Sequence, residues 1–204
     1  MIKKEELFQQ LFCLFFVDFI EIFFKELRKM IDIDCLEFYI NYHMHSYNVD
    51  KYKVGDLAIK TKLKGENSFI ILNLEHRQHI RKNYPSKIFM DFGGLWDEDG
   101  YVIYPITIFC NNQLQIPQPN EYKQQTFDIN FLSFKYPILQ LGLLKWKDFV
   151  HLENPIICAL MATMKMEEEE CQIVKSECLQ MLGKLRLEAD KEKIILDFIE
   201  AHLI

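Results

Sequence analysis

The sequence predicts an α/β protein that ends in a helical region. Three observations carry this: an aromatic stripe at helical spacing near the start, two apolar runs joined by a turn in the middle, and helical periodicity from Trp146 onward. Leu7, Leu11, Leu14, Phe15, Ile22 and Phe23 recur at helical spacings, and Phe16, Phe19, Ile20 and Phe24 widen the stripe, so Leu7 to Leu27 predicts a helix buried on more than one side. Leu36 to Tyr42 alternates loosely and predicts a strand, followed by a polar loop through Lys53. Val54 to Leu63 and Ser68 to Arg77 predict two strands, and Lys64-Gly65-Glu66-Asn67 predicts the turn that makes them a hairpin. Pro85 opens a helix predicted over Ser86 to Trp96, with Gly93-Gly94 as weak helix formers inside it. Tyr101 to Cys110 predicts an apolar strand that Pro105 kinks or confines to an edge. Asn111 to Thr126, with Pro117 and Pro119, predicts a loop, and Phe127 to Leu141 another extended segment. Past Trp146, Asn154-Pro155 marks a helix start, an apolar stretch runs to Met166, the acidic run Glu167 to Glu170 flanks or caps a helix, and two amphipathic segments reach Ile204.

Composition removes several classes of protein. With 204 residues, half of them hydrophobic and 26% charged, the chain is neither disordered nor of low complexity, and 17 Phe and 9 Tyr can fill a core without disulfide staples. A net charge of −6 argues against binding polyanions by overall attraction. A nuclease is still permitted, because it needs only a local basic rim around an acidic, metal-binding centre. Six cysteines without a CxxC pair predict reduced, mostly buried thiols. The longest apolar run, Leu11 to Val17, falls short of the roughly 20 residues that span a bilayer. The opening residues lack the apolar core of a secretory signal, so the expectation is a cytoplasmic protein with no membrane partner.

The acids are placed unusually. Asp56 lies in the apolar run VGDLAIK and Glu75 near the end of FIILNLEHR, where a carboxylate is costly unless it is paired or bound to metal. Period-two alternation puts Asn73, Glu75 and Arg77 on one face of the second strand, and pairing of the two strands would let Asp56 approach Glu75. Two carboxylates and a cation on adjacent strand ends are what a metal-dependent phosphodiesterase requires. The bland alternatives remain open at this stage: Asp56 as a strand-edge acid paired with Lys53 or Lys62, and Glu75 with Arg77 as a surface ion pair. His43, His45, His76 and His79 are metal-compatible in spacing but lack a clear third ligand, which favours ordinary loop and surface histidines.

The string Asp56…Glu75-His76-Arg77 resembles the Asp…Glu-x-Lys pattern of the PD-(D/E)XK nucleases, and the chain as a whole resembles their Rpn-type branch, the recombination-promoting nucleases also called putative transposases. The likeness runs through ELFQQLF, VDFIEIFF, LEFY, VGDLAIKTKL, FIILNLEHR, PSKIFMDFGGLWDEDG, VIYPITIF and ENPIICALMATM to LDFIEAHL, and is most specific at ILNLEHRQH and YPITIF. It implies a restriction-endonuclease-like core, a mixed β-sheet flanked by helices, over residues 1–150, with a helical C-terminal extension over 151–204 packed on the same domain. It also implies Mg²⁺-dependent DNA endonuclease activity, with Mn²⁺ able to substitute, linked to recombination or mobile elements. Asp56 and Glu75 match the metal-binding acids, and Glu21 matches an acidic position on the first helix. Arg77 falls where these proteins usually have Gln and the wider superfamily has Lys.

Arginine stays protonated at any working pH, so Arg77 can stabilise charge but cannot act as a general base. Lys60 is a substitute cation about 13 Å along the strand from Asp56. Lys60, Lys62, Arg81 and Lys87, with Lys64 and Lys82, are the candidate DNA-facing cations, or else a solvated lysine face. The alternative to a live enzyme is a catalytically impaired relative serving as a DNA-binding or oligomerising module. The tail helices and aromatic first helix suit a homodimer as well as a core.

Overall fold

A computed structural model describes residues 3–40, 43–44, 52–53, 57–65, 69–77, 83–95 and 102–203. In chain order the elements are α1 (Lys4–Phe23), α2 (Lys25–Met30), β1 (Glu37–Ile40), β2 (His43–Met44), β3 (Tyr52–Lys53), β4 (Leu57–Lys62), β5 (Phe69–Arg77), α3 (Tyr84–Leu95), β6 (Val102–Phe109), β7 (Glu121–Thr126), β8 (Ile129–Lys135), β9 (Ile138–Gln140), α4 (Pro155–Leu160), α5 (Cys171–Leu185) and α6 (Ala189–His202), with short 3-10 turns between them. The protein is a mixed α and β structure. It divides into a helical unit (residues 1–29, 109–116 and 140–204) and a sheet unit (30–108 and 117–139).

In the helical unit, α1 packs against α4 and α6, and α4 also against α5. The wide aromatic stripe explains the depth of α1: Phe8, Phe12, Phe16, Phe19, Leu11 and Ile20 are fully buried. Phe8 and Phe12 stand with ring centroids 4.2 Å apart, and Phe12 meets Phe19 edge-on at 4.7 Å. Phe15 departs from helical dihedrals and kinks α1. The single helix expected through Leu27 instead breaks at Phe24, whose φ of −135° is not helical, and resumes as α2. Asn154 caps α4 by accepting from the backbone N–H of Ile156 and Ile157, with Pro155 at the first helical position where its missing N–H costs nothing. Gly142 is required by close packing, since a Cβ there would collide with the carbonyls of Asn111 and Leu114. Gln140 ties the same loop down by donating to the carbonyls of Leu114 and Ile116 at 2.8 Å.

The sheet unit is built on a five-stranded sheet of order β1-β4-β5-β6-β9. β4 pairs antiparallel with β1 (Glu37 opposite Lys60) and with β5 (Leu57 opposite Leu74, Lys62 opposite Phe69), so the expected hairpin is present. Leu57, Ile59 and Thr61 form one fully buried face of β4, and Thr61 donates its hydroxyl to the Asp32 carbonyl. Pro105 lies inside β6, which has neighbours on both sides in the sheet order and is therefore not an edge strand.

Residues 121–126 correct the expectation of a loop. They form β7, a two-stranded ribbon with β8 whose bulge lies in β8 at Phe131, opposite the Gln124–Gln125 step. Tyr122 and Phe134 lie on the ribbon face that meets Phe89 and Phe92 of α3, at ring separations of 4.8 to 5.4 Å. That packing, not strand propensity, makes EYKQQT a strand. The helix α3 begins at Tyr84 and runs through Gly93 to Leu95, close to the expected span. Tyr84 and Tyr136 both donate their hydroxyls to the Pro119 carbonyl, which anchors the ribbon's approach.

Candidate functional site

The candidate site rests on the β4–β5 hairpin. Its register sets Leu57, the first residue of β4, opposite Leu74. Glu75 follows Leu74 within β5, and Arg77 is the last residue of that strand. For both, the backbone alone is described. Asp56, immediately before Leu57 in sequence, lies outside the described residues.

Ala58, Lys60 and Lys62 alternate with the buried face of β4 and share its other face. Burial along that face falls from Ala58 (buried) through Lys60 (half-buried) to Lys62 (exposed). Lys60 therefore sits at the boundary between core and water, with Glu37 of β1 and Ile71 of β5 as its cross-strand partners.

Lys87 on α3 has its ammonium group on the carboxylate of Asp91 one turn later, and Asp91 is the more buried of the two. Its charge is spent locally. Lys64 is exposed in the turn after β4. Arg81 and Lys82 lie outside the described residues.

Glu21 belongs to the helical unit. Its carboxylate accepts from Arg28 Nε at 3.1 Å and is half exposed, so it is held as an ion pair between α1 and α2. Three residues before it, Asp18 is half-buried and accepts from Asn154 Nδ2 at 3.1 Å. Burial pushes the Asp18 carboxyl above its ordinary range, and the nearby Glu21 charge pushes it further, against the hydrogen bonds that favour the ionised form. Sequence reading counted Asp18 only as a polar position on the helix. The i, i+3 spacing of Asp18 and Glu21 was the signal that could have paired them.

All six cysteines are free thiols: Cys110, Cys158 and Cys178 are buried and the other three half-buried. Burial drives the Cys158 thiol up to about 12, which leaves it unreactive. Among the described residues, no group of three or more His, Cys, Asp or Glu side chains gathers as a metal cage. No described helix is long and apolar enough to cross a membrane. In comparisons with protein-family models, curated proteins and solved structures, nothing matches this chain.

Proposed function

We propose that the protein is a cytoplasmic, Mg²⁺-dependent DNA endonuclease with the PD-(D/E)XK core of the recombination-promoting nucleases it resembles. The observation that carries this reading is the antiparallel register of β4 and β5, in which Leu57 faces Leu74. The two acids of the string are the residues just before Leu57 and just after Leu74 in sequence. A pair of carboxylates supplies the hard oxygen ligands that Mg²⁺ takes, and the pair suits that ion better than zinc, which draws on His and Cys.

In this reading Asp56 and Glu75 hold the metal, which lowers the pKa of a water and neutralises the scissile phosphate. Arg77 supplies a fixed positive charge for the phosphate oxygens as negative charge builds on them. Lys60 and Lys62 are the strand's contribution to a basic rim along the DNA backbone. Glu21, held by Arg28, contributes an acid from the first helix only if that ion pair opens.

The second reading is a catalytically impaired module that binds DNA or oligomerises, and one observation weakens DNA contact in both readings. Lys87, a cation expected to face DNA, is already neutralised by Asp91. Plasmid nicking by purified protein in Mg²⁺, Mn²⁺, Ca²⁺ or EDTA separates the two. A nuclease nicks in Mg²⁺ or Mn²⁺ and loses at least about 100-fold in rate in Asp56→Ala and Glu75→Ala, both with unchanged melting. Absence of nicking together with retained binding to duplex DNA identifies the module; absence of both ends the DNA reading.

A further inference from the structure

The helical unit contains a cleft of about 270 Å³ that the nuclease reading does not use, lined by Lys145, Trp146, Lys147, Lys165, Met166, Glu167 and Glu170. Two of these residues, Lys145 and Lys165, form a parallel backbone bridge, closed by the Lys165 N–H donating to the Leu144 carbonyl at 2.8 Å. Bridged residues project their side chains to the same side of a ladder. The bridge therefore sets two lysines side by side, and like charges directly opposite each other destabilise a pairing.

Among the described residues, neither Lys145 nor Lys165 has a carboxylate within ion-pair distance, whereas the two glutamates of the cleft each hold other partners. Glu170 accepts from Lys147 Nζ at 2.5 Å, from Trp146 Nε1 at 3.3 Å and from the Glu167 N–H at 3.1 Å. Glu167 accepts from the Glu170 N–H in the reciprocal capping box that starts the turn before α5. Lys147 thus belongs to the wall, and two cations remain without a counter-charge. Lys145 is exposed and Lys165 half-buried, so both ammonium groups are open to an anion from solvent.

We propose that this cleft binds a small phosphate monoester, its dianion between the ammonium groups of Lys145 and Lys165 and its organic part against Met166 and Trp146. Two point charges match a dianion better than a single carboxylate, and lysine is a common phosphate ligand. The volume exceeds what a bare ion needs, since a water's share of liquid is about 30 Å³, yet lies just below the usual range for drug-sized ligands. The glutamate wall repels a phosphate, which confines it to the lysine side and sets a modest affinity.

Calorimetric titration of the full chain with inorganic phosphate, with adenosine monophosphate and with chloride at matched ionic strength tests this. The expected result is saturable binding of the phosphate compounds with a Kd in the micromolar to low-millimolar range, weakened at least about tenfold in Lys145→Gln and in Lys165→Gln. Lys184→Gln, which removes a surface lysine paired with Glu153 elsewhere in the same unit, should leave the affinity unchanged. Binding of the monophosphate but not the free ion shows that the organic part is recognised; equal binding of both shows a bare phosphate site. No saturable heat below about 10 mM, or equal weakening by all three substitutions, overturns the proposal. Lys145→Arg and Lys165→Arg keep the charge and retain binding, which separates charge recognition from damage to the bridge.

Discussion

The two units use the same residue in opposite ways. In the helical unit, Phe8, Phe12, Phe16 and Phe19 are all buried to within 1% of complete. In the sheet unit, Phe127 at the tip of the β7–β8 ribbon is 96% exposed and Phe131 is 65% exposed. The difference comes from period and layers. A helix with a stripe wider than one face finds partners on several sides, here α4 and α6, and each added phenylalanine enters the same core. A two-stranded ribbon has two faces, and α3 covers one of them only where Tyr122 and Phe134 stand; Ile129 lies beyond that contact at the far end of the ribbon, and Phe131 is the bulge residue that has no cross-strand partner in the register. Phe127 adds a second cost, since it adopts φ of 52° in the left-handed region where Gly or Asn is usual. Aromatic content alone therefore does not measure the size of a core.

Truncating one ring in each unit tests the contrast most directly. Phe12→Ala should cost about 3–5 kcal/mol, the range for fully buried rings, in urea unfolding followed by circular dichroism. Phe134→Ala, half-buried against Phe89 and Phe92, should cost about 1–2 kcal/mol. Equal losses would show that the ribbon is as tightly packed as the helical core.

A second expectation concerns acid. His202, at the end of α6, has Nδ1 2.8 Å from the Phe198 carbonyl, which can only accept, so Nδ1 donates and Nε2 is left buried without a partner. Burial, the dominant cause, holds the imidazole neutral and its pKa down to about 4, with the Lys4 charge adding to the effect. A depressed histidine binds fewer protons in the folded chain than in the unfolded one between about pH 6.5 and 4. The fold therefore loses stability as pH falls through that window, by on the order of 2–3 kcal/mol. His202→Phe should flatten that part of the pH–stability curve, and a curve of unchanged slope would show that the imidazole is solvated in the folded protein.

The legibility of the fold followed the same divide. The stripe from Leu7 to Phe23 and the Asn154-Pro155 start were readable because each is a local pattern with a single structural solution. The β4–β5 hairpin was readable because Gly65, with φ of 78°, sits in the turn between two apolar runs. β7 was not, because EYKQQT has only Tyr122 and Thr126 as strand-favouring residues and no apolar alternation, and it is held by pairing with β8 and by packing on α3, about 25 residues upstream. At the candidate site, the spacing of Asp56, Glu75 and Arg77 was legible as a string. The pairing of Lys87 with Asp91 could have been read from their i, i+4 spacing, whereas Arg28 with Glu21 forms across the break at Phe24 that the sequence did not announce.

The smallest expected effect joins the stability of α1 to its acids. Asp18 has a raised carboxyl pKa, so the folded chain binds more protons than the unfolded one between the ordinary aspartate pKa and the raised value. Stability falls as pH rises through that interval, and the full penalty persists at neutral pH. Asp18→Asn keeps an acceptor for Asn154 Nδ2 and removes the charge beside Glu21, so it should stabilise the protein at pH 7 by about 0.5 kcal/mol, a small figure because the side chain is half open to solvent. The gain should shrink as pH falls through the ordinary aspartate range and vanish about one unit below it, where both states are protonated. A loss at pH 7 instead would mean that the ionised Asp18 is required where it stands, and would make it, ahead of the ion-paired Glu21, the acid of the first helix to examine in the nicking assay.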